Sequence, residues 1–407
     1  MTDQQLLDAV GRNLEWFRNS GVMDPPDGSW GVAERIAVTK DNTAIEKICR
    51  AFPAWNEFDG YCVIEPRRPD CNFETALLFL LAGRKFGSEE FTRTGENLLM
   101  YLYNRSGMIF PENSVWNWSN ITKQPGRWFD DNGWCGAIQF RIAALRPDLD
   151  RKYRMRGRAL RLARLLAAGV DRSLGADQEI SHGSWPDPEG FWLGEPRLPH
   201  WGAVALLAGT AALAVEPDPV LAIQLRRYYE YVGGRLDTFI ASELCYALLG
   251  AAFAANVTGE EFYLDLAART AAAVLRRIDP ATGNLPAEHC EAPKGAHLVD
   301  LIYTANWALL GLQAAAGVTG DEAVREAYRK LLELLTAVQD RSDNPAFRGC
   351  WRGMYDLRAG EWGGGDLFEG GQNSIYTGWT NAPIALGLLQ VTCERLRHLV
   401  KKAEGGE

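Results

Sequence analysis

Residues 201–215, WGAVALLAGTAALAV, carry no charge and are apolar on every side of a helix, and three residues further on 219–232, PVLAIQLRRYYEYV, places charges among apolar residues at helical spacing. A helix that is apolar all round has to be packed on all sides, whereas an amphipathic one can face water. The two stretches therefore read as an inner and an outer helix joined by a short turn.

The same pairing recurs along the chain. Inner-type helices are predicted at Glu74–Gly83, Asn132–Leu145, Trp201–Val215, Thr238–Asn256, Leu298–Gly317 and Ile375–Val391. Each is followed by an amphipathic one: Ser88–Tyr103, Arg151–Ala168, Pro219–Val232, Glu260–Arg277, Asp321–Val338 and Cys393–Lys402. Six hairpins of this kind predict an all-α fold, an (α/α)6 toroid that takes in residues 1–407 as a single domain. An N-terminal amphipathic helix, Leu6–Arg18, is placed to pack beside the last hairpin and close the ring. Alternating β-branched runs are few, so strands are not expected to build the core.

Composition narrows the function. The net charge is −9 over 407 residues, so a nucleic-acid partner is not expected, since phosphate binding needs a basic face. The start, Met1-Thr2-Asp3-Gln4-Gln5, has neither a basic nor an apolar region of a signal peptide. No apolar run is long enough to favour a membrane span. The eight cysteines form no CxxC pair and several sit in apolar helical stretches, the pattern of reduced thiols in a cytoplasmic protein. The oligomeric state is not readable.

In such a ring the inner helices run parallel and their N-termini open on one face. The long segments, 21–73, 104–131, 170–199, 278–297 and 339–374, all precede inner helices, so they gather on that face. Twelve of the 14 tryptophans lie in these segments or at inner-helix starts: Trp30, Trp55, Trp116, Trp118, Trp128, Trp134, Trp185, Trp192, Trp201, Trp351, Trp362 and Trp379. Flat aromatic faces suit the C–H face of a sugar ring, and the indole N–H can bond a hydroxyl. The glycine clusters at 363–365 and 370–371 follow no strand and match no nucleotide-binding pattern. No cofactor is expected.

The densest constellation is Arg127-Trp128-Phe129-Asp130-Asp131-Asn132-Gly133-Trp134, at the start of the second inner helix. Hydrolysis of a glycosidic bond needs one carboxylic acid and one carboxylate, and close like charges push one pKa up so that both forms coexist. One Asp would serve as a helix cap; two flanked by aromatics exceed what a cap requires.

This motif resembles the paired-Asp motif of the α-1,6-mannanase family of glycoside hydrolases, which are α/α six-hairpin toroids. The resemblance implies that Asp130 and Asp131 are the catalytic pair, nucleophile and general acid/base in either order, acting on short oligosaccharides. The unsaturated glucuronyl hydrolases, similar in ring and in their use of Asp at inner-helix N-termini, imply a uronate substrate, for which Arg127, Arg197 and Arg235 are candidate partners.

Further polar and aromatic groups at predicted inner-helix starts complete a substrate site: Asn72 and Glu74 at the first, Trp128 and Trp134 at the second, His200 and Trp201 at the third, Asp237 at the fourth, His297 at the fifth, and Gln372, Tyr376 and Trp379 at the sixth, with Asp70, Asp300, Tyr303 and Glu369 nearby. Glu243, inside an apolar helix, must face the cavity or bond a neighbouring helix, because a buried unpaired Glu is costly. His289-Cys290-Glu291 lacks metal-ligand spacing, so no metal is expected.

Two alternatives share this ring. The N-acylglucosamine 2-epimerase class would use His200 and His297 to move a proton beside a carbonyl. A non-catalytic carbohydrate-binding protein would keep the ring without the chemistry.

Overall fold

The computed structural model describes residues 2–39, 55–58, 60–121, 126–175, 185–187, 190–289, 294–364 and 371–389. Its helices are, in chain order, α1 (Asp3–Asn19), α2 (Pro69–Phe86), α3 (Glu89–Asn104), α4 (Phe129–Leu145), α5 (Pro147–Tyr153), α6 (Met155–Leu174), α7 (Pro199–Leu213), α8 (Pro219–Gly233), α9 (Ala241–Thr258), α10 (Glu261–Leu275), α11 (Ala305–Thr319), α12 (Glu322–Val338) and α13 (Ala382–Leu388).

Six of them form a closed inner ring: α2 packs on α4, α4 on α7, α7 on α9, α9 on α11, α11 on α13, and α13 back on α2. Nearly all of their residues are buried, as helices without a polar face require. The amphipathic helices α3, α6, α8, α10 and α12 each cover an inner partner from outside, and α1 packs on α13. The predicted helix Cys393–Lys402 and Glu369 lie outside the described residues.

Inner-to-outer links are tight. Gly87 ends α2 in the left-handed region (φ 66°), and the next residue, Ser88, caps α3 by accepting the Phe91 N–H. Glycine reaches that conformation at little cost, and the hydroxyl satisfies a donor that the new helix leaves free.

Apart from the short 234–240 link before α9, the outer-to-inner links are long and contribute the strands of three small sheets, which the sequence did not predict. Strands β1 (Arg35–Val38), β2 (Trp55–Phe58), β3 (Tyr61–Ile64) and β10 (Ser374–Tyr376) form an antiparallel sheet ordered β10-β1-β3-β2. A second holds β4 (Arg127–Trp128), β5 (Trp185–Asp187) and β6 (Gly190–Leu193), with β4 parallel to β6. The third is β7 (Leu298–Asp300), β8 (Met354–Asp356) and β9 (Glu361–Trp362). Loops crossing the mouth of a ring must satisfy their own backbone groups, and short ladders do so.

Three predicted inner helices begin later than expected, one of them α9, which starts at Ala241 and not at Thr238. Leu298 starts a strand, not a helix; Asp300 then accepts the N–H groups of Ile302 and Tyr303 and the Thr304 hydroxyl, turning the chain into α11. Ile375 belongs to β10, and a kink at Gly378 and Trp379 (φ 43° at Trp379) precedes α13. Cys71, Cys135, Cys245 and Cys350 are buried thiols that form no disulfide among the described residues. No helix among the described residues is long and apolar enough to cross a membrane.

Candidate active site

Every residue of the paired-Asp motif is explained by where it points. Consecutive residues on a helix face different ways, so Asp130 and Asp131 meet different partners. Asp130 Oδ2 lies 3.2 Å from His200 Nε2 at the start of α7. Asp131 Oδ1 accepts from Arg68 Nη2 at 2.7 Å, just before α2. Phe129 stacks on Trp192 (5.0 Å between centroids). Asn132 bonds both backbone groups of Trp116 and the carbonyl of Trp128, tying the preceding loop to the helix. Gly133 lies against the α7 backbone: a Cβ there would come within 2.2 Å of Ala205 Cα. Trp134 donates its indole N–H to Glu74 and meets Trp307 edge-on.

On one side the pair faces an acidic network around a single guanidinium. Arg68 holds Asp70 through two nitrogens, Asp131 through Nη2 and Glu34 through Nη1 at 3.2 Å, with its guanidinium over Trp118. Burial pushes the Asp131 carboxyl well above the ordinary carboxylate range; Arg68 opposes this, and Asp70 and Asp130 reinforce it. Asp131 and Asp70 converge on the same Arg68 nitrogen, Nη2, each at 2.7 Å. Glu74, fully buried, is likewise pushed well up by desolvation, then by Asp70. It accepts the Trp134 indole and the Trp379 backbone N–H.

On the other side the pair faces aromatic rings. His200 is sandwiched between Trp201 (4.5 Å, 14°) and Tyr246 (4.7 Å, 3°). Tyr303, Trp379 and His289 meet it edge-on at 5.8, 5.6 and 6.1 Å. His289 stacks flat on Tyr303 at 3.7 Å, and burial, helped by His200, lowers its pKa to about 3, so it is neutral at physiological pH. Glu243 bonds the neighbouring helix: its Oε2 accepts the backbone N–H of His200, and burial raises its pKa. Trp379, in its strained left-handed conformation, sends its indole N–H to Asp70.

The structure thus brings together Asp130, Asp131, Glu74, Trp134, His200, Trp201 and Trp379 from the expected set. Others lie elsewhere. Asp237 sits in a 3-10 turn ahead of α9, its side chain 93% exposed and paired with Arg276; α9 begins only at Ala241, so this Asp does not reach the ring centre. His297 precedes β7 and lies 3.9 Å from Asp356 on the neighbouring strand, because the predicted helix start there is a sheet. Asn72 is a structural latch, its amide bonding both backbone groups of Val32 and the Arg68 carbonyl. Tyr376 is engaged by Arg35, opposite it in the sheet. Trp128 provides the backbone cap of α4. Gln372, in a turn before β10, makes no hydrogen bond to the cluster among the described residues.

Arg197 pairs with Glu195, Arg235 lies over Tyr231 and Arg127 over Phe110. Trp116, Trp192 and Trp351 are fully buried supports beneath the loops. Sequence reasoning missed Arg68, Tyr246 and Trp307. Only the last two left a signal: large aromatics in otherwise Ala- and Leu-rich inner helices.

No protein-family model and no curated protein matches the sequence. Solved structures do. A sugar epimerase from a ruminal bacterium aligns with a TM-score of 0.61 at 11% identity over 100% of both chains. A D-mannose isomerase aligns at 0.60 and 10% identity, covering 99% of this chain and 98% of that one. An inactive α-1,6-mannanase of Salegentibacter, with two consecutive aspartates changed to asparagine and α-1,6-mannotriose bound, aligns at 0.57 and 12% identity over 95% and 98%. At these identities the likeness bears on the fold: the chain is an (α/α)6 six-hairpin toroid.

Proposed function

We propose that this chain is a carbohydrate-active enzyme that hydrolyses glycosidic bonds of short oligosaccharides, with the 1–407 ring as its single domain. The observation that carries the reading is the division of labour in the adjacent pair. Asp131 is buried, sits with Asp70 on one Arg68 nitrogen and has its carboxyl pushed well up by burial, and so is suited to protonate the leaving-group oxygen. Asp130, held through one oxygen by His200, leaves Oδ1 without a partner among the described residues, and is suited to attack the anomeric carbon or activate a water. Trp201 and Trp379 offer faces for a sugar ring. The mannanase neighbour, whose inactive form lacks two consecutive aspartates, supports the assignment. The thiols of Cys71, Cys135, Cys245 and Cys350, which form no disulfide among the described residues, support a cytoplasmic place of action.

The test is a panel of aryl glycosides and oligosaccharides with the purified protein. Release of aglycone or shorter sugars that disappears in Asp131→Asn supports hydrolysis; no cleavage of any member overturns it.

A second reading has its own observation. His200 and His289 flank Tyr303 on one wall, and a pair of imidazoles can move a proton beside a carbonyl. An epimerase or isomerase would interconvert a monosaccharide without cleaving a bond, and the two epimerising and isomerising neighbours lend it weight. Hydrolysis is preferred because a His289 with a pKa near 3 is a weak base.

A further inference from the structure

The protein is acidic overall, yet between 146 and 172 it carries nine Lys and Arg against three Asp. Part of this charge is cancelled locally. Arg146 pairs with Glu96 and Asp148, Arg156 with Asp150, and Arg164 with Glu216 and Asp218. Arg151, Lys152, Arg154, Arg158 and Arg161 have no carboxylate within ion-pair distance among the described residues.

The fold displays these five cations together. Arg154 sits in the left-handed region (φ 55°) at the corner where α5 ends and α6 begins. Arg151 and Lys152 occupy the last turn of α5, and positions 154, 158 and 161 share one face of the following helix by their spacing. Arg158 is fixed by the Tyr153 carbonyl and Arg161 by the Ser114 hydroxyl. Both acceptors are neutral, so they orient the guanidinium groups without cancelling their charge. All but the half-buried Arg158 are exposed.

We propose that this α5–α6 corner binds a linear acidic polysaccharide, whose repeated carboxylate or sulfate groups meet the row of cations. Local potential, not net charge, governs such contacts, and guanidinium forks suit flat oxyanions. The corner lacks the exposed aromatics on which single-stranded bases stack, since Tyr153 is buried. It also lacks exposed large apolar side chains that would enter a bilayer, all of which lie outside 146–172. The choice of a glycan among polyanions rests on the proposed carbohydrate activity.

The test uses the full chain and direct binding to heparin and polygalacturonate, with neutral dextran, duplex DNA and phosphatidylserine vesicles as comparisons. The wild type should bind both acidic polysaccharides and not dextran, losing at least about tenfold in affinity between about 50 and about 200 mM salt. The triple variant Arg151→Gln, Lys152→Gln, Arg154→Asn should lose about tenfold at the lower salt. Its thermal midpoint and its turnover of small neutral glycosides should be unchanged. Absence of binding, equal binding by the triple variant, or preference for DNA or vesicles overturns the proposal. Binding is read without turnover, so failure of the hydrolase reading and failure of this surface are separately visible.

Discussion

The Asp130 carboxylate and the His200 imidazole meet at 3.2 Å across the seam between two neighbouring inner helices, α4 and α7. The imidazole lies between the rings of Trp201 and Tyr246, and the backbone N–H of His200 donates to Glu243. A carboxylate is therefore held at the ring centre by a partner that has little freedom to move, which is how positioning lowers a barrier.

Replacing either aspartate with asparagine keeps shape and most contacts while removing acid–base capacity. Asp130→Asn and Asp131→Asn should each lower kcat by about 10²–10⁴, with neither thermal midpoint falling below wild type. Turnover of the best aryl glycoside, beside a melting curve, checks this. Unfolding of both variants would make the pair structural.

The Asp131→Asn variant also carries a prediction about pH. The folded-state pKa of Asp131 is raised, by burial first. A carboxyl of this kind stabilises the fold fully below its unfolded pKa of about 4 and loses that contribution as pH rises through the folded value, because the unfolded chain ionises more readily. The midpoints of wild type and variant should therefore coincide near pH 4 and separate above it, the variant becoming the more stable. A series of melts from acid to alkaline pH would show it; parallel curves would mean that Asp131 ionises normally.

His289 separates the two chemical readings. His289→Phe keeps a flat ring on Tyr303 but removes both nitrogens. Under hydrolysis by the aspartates, kcat should stay within about tenfold of wild type, since general acid–base loss costs about 10² or more only at a group that transfers the proton. Under epimerisation, activity should vanish. Parallel assays for reducing-end release and for monosaccharide interconversion decide between them.

How much of this is legible in the sequence depends on the range of the interaction. The ring is legible because Trp201–Val215 and its counterparts have no polar face, a property of each segment alone. The Asp pair is legible because its two members are adjacent. Arg68 is not: nothing near it in sequence shows that Glu34, Asp70 and Asp131 converge on it. Nor is the exchange of His297 for His289 at the centre. Both precede the same inner helix, and only the β7–β8 pairing, which brings Asp356 toward His297, determines which one faces inward. Asp237 misleads for a related reason, since it lies in a 3-10 turn that ends before α9 starts at Ala241.

The glycine after Asp130-Asp131-Asn132 gives a test that does not depend on the substrate. Gly133 is where α4 touches α7, and an added Cβ would lie 2.2 Å from Ala205 Cα and 2.5 Å from the Val204 carbonyl oxygen. Both obstacles are backbone, so the helices must separate rather than a side chain swing away. Overpacking of a core costs about 1–3 kcal/mol and sometimes more, which for a chain of this length should lower the thermal midpoint of Gly133→Ala by about 1–4 °C. Separation of the helices also lengthens the Asp130–His200 contact. The variant should therefore lose activity even at temperatures where it is fully folded, with kcat falling more than KM rises. Melting curves paired with kinetics well below the midpoint would reveal this. A variant with wild-type kcat would show that the catalytic carboxylate does not depend on the close approach of these two helices.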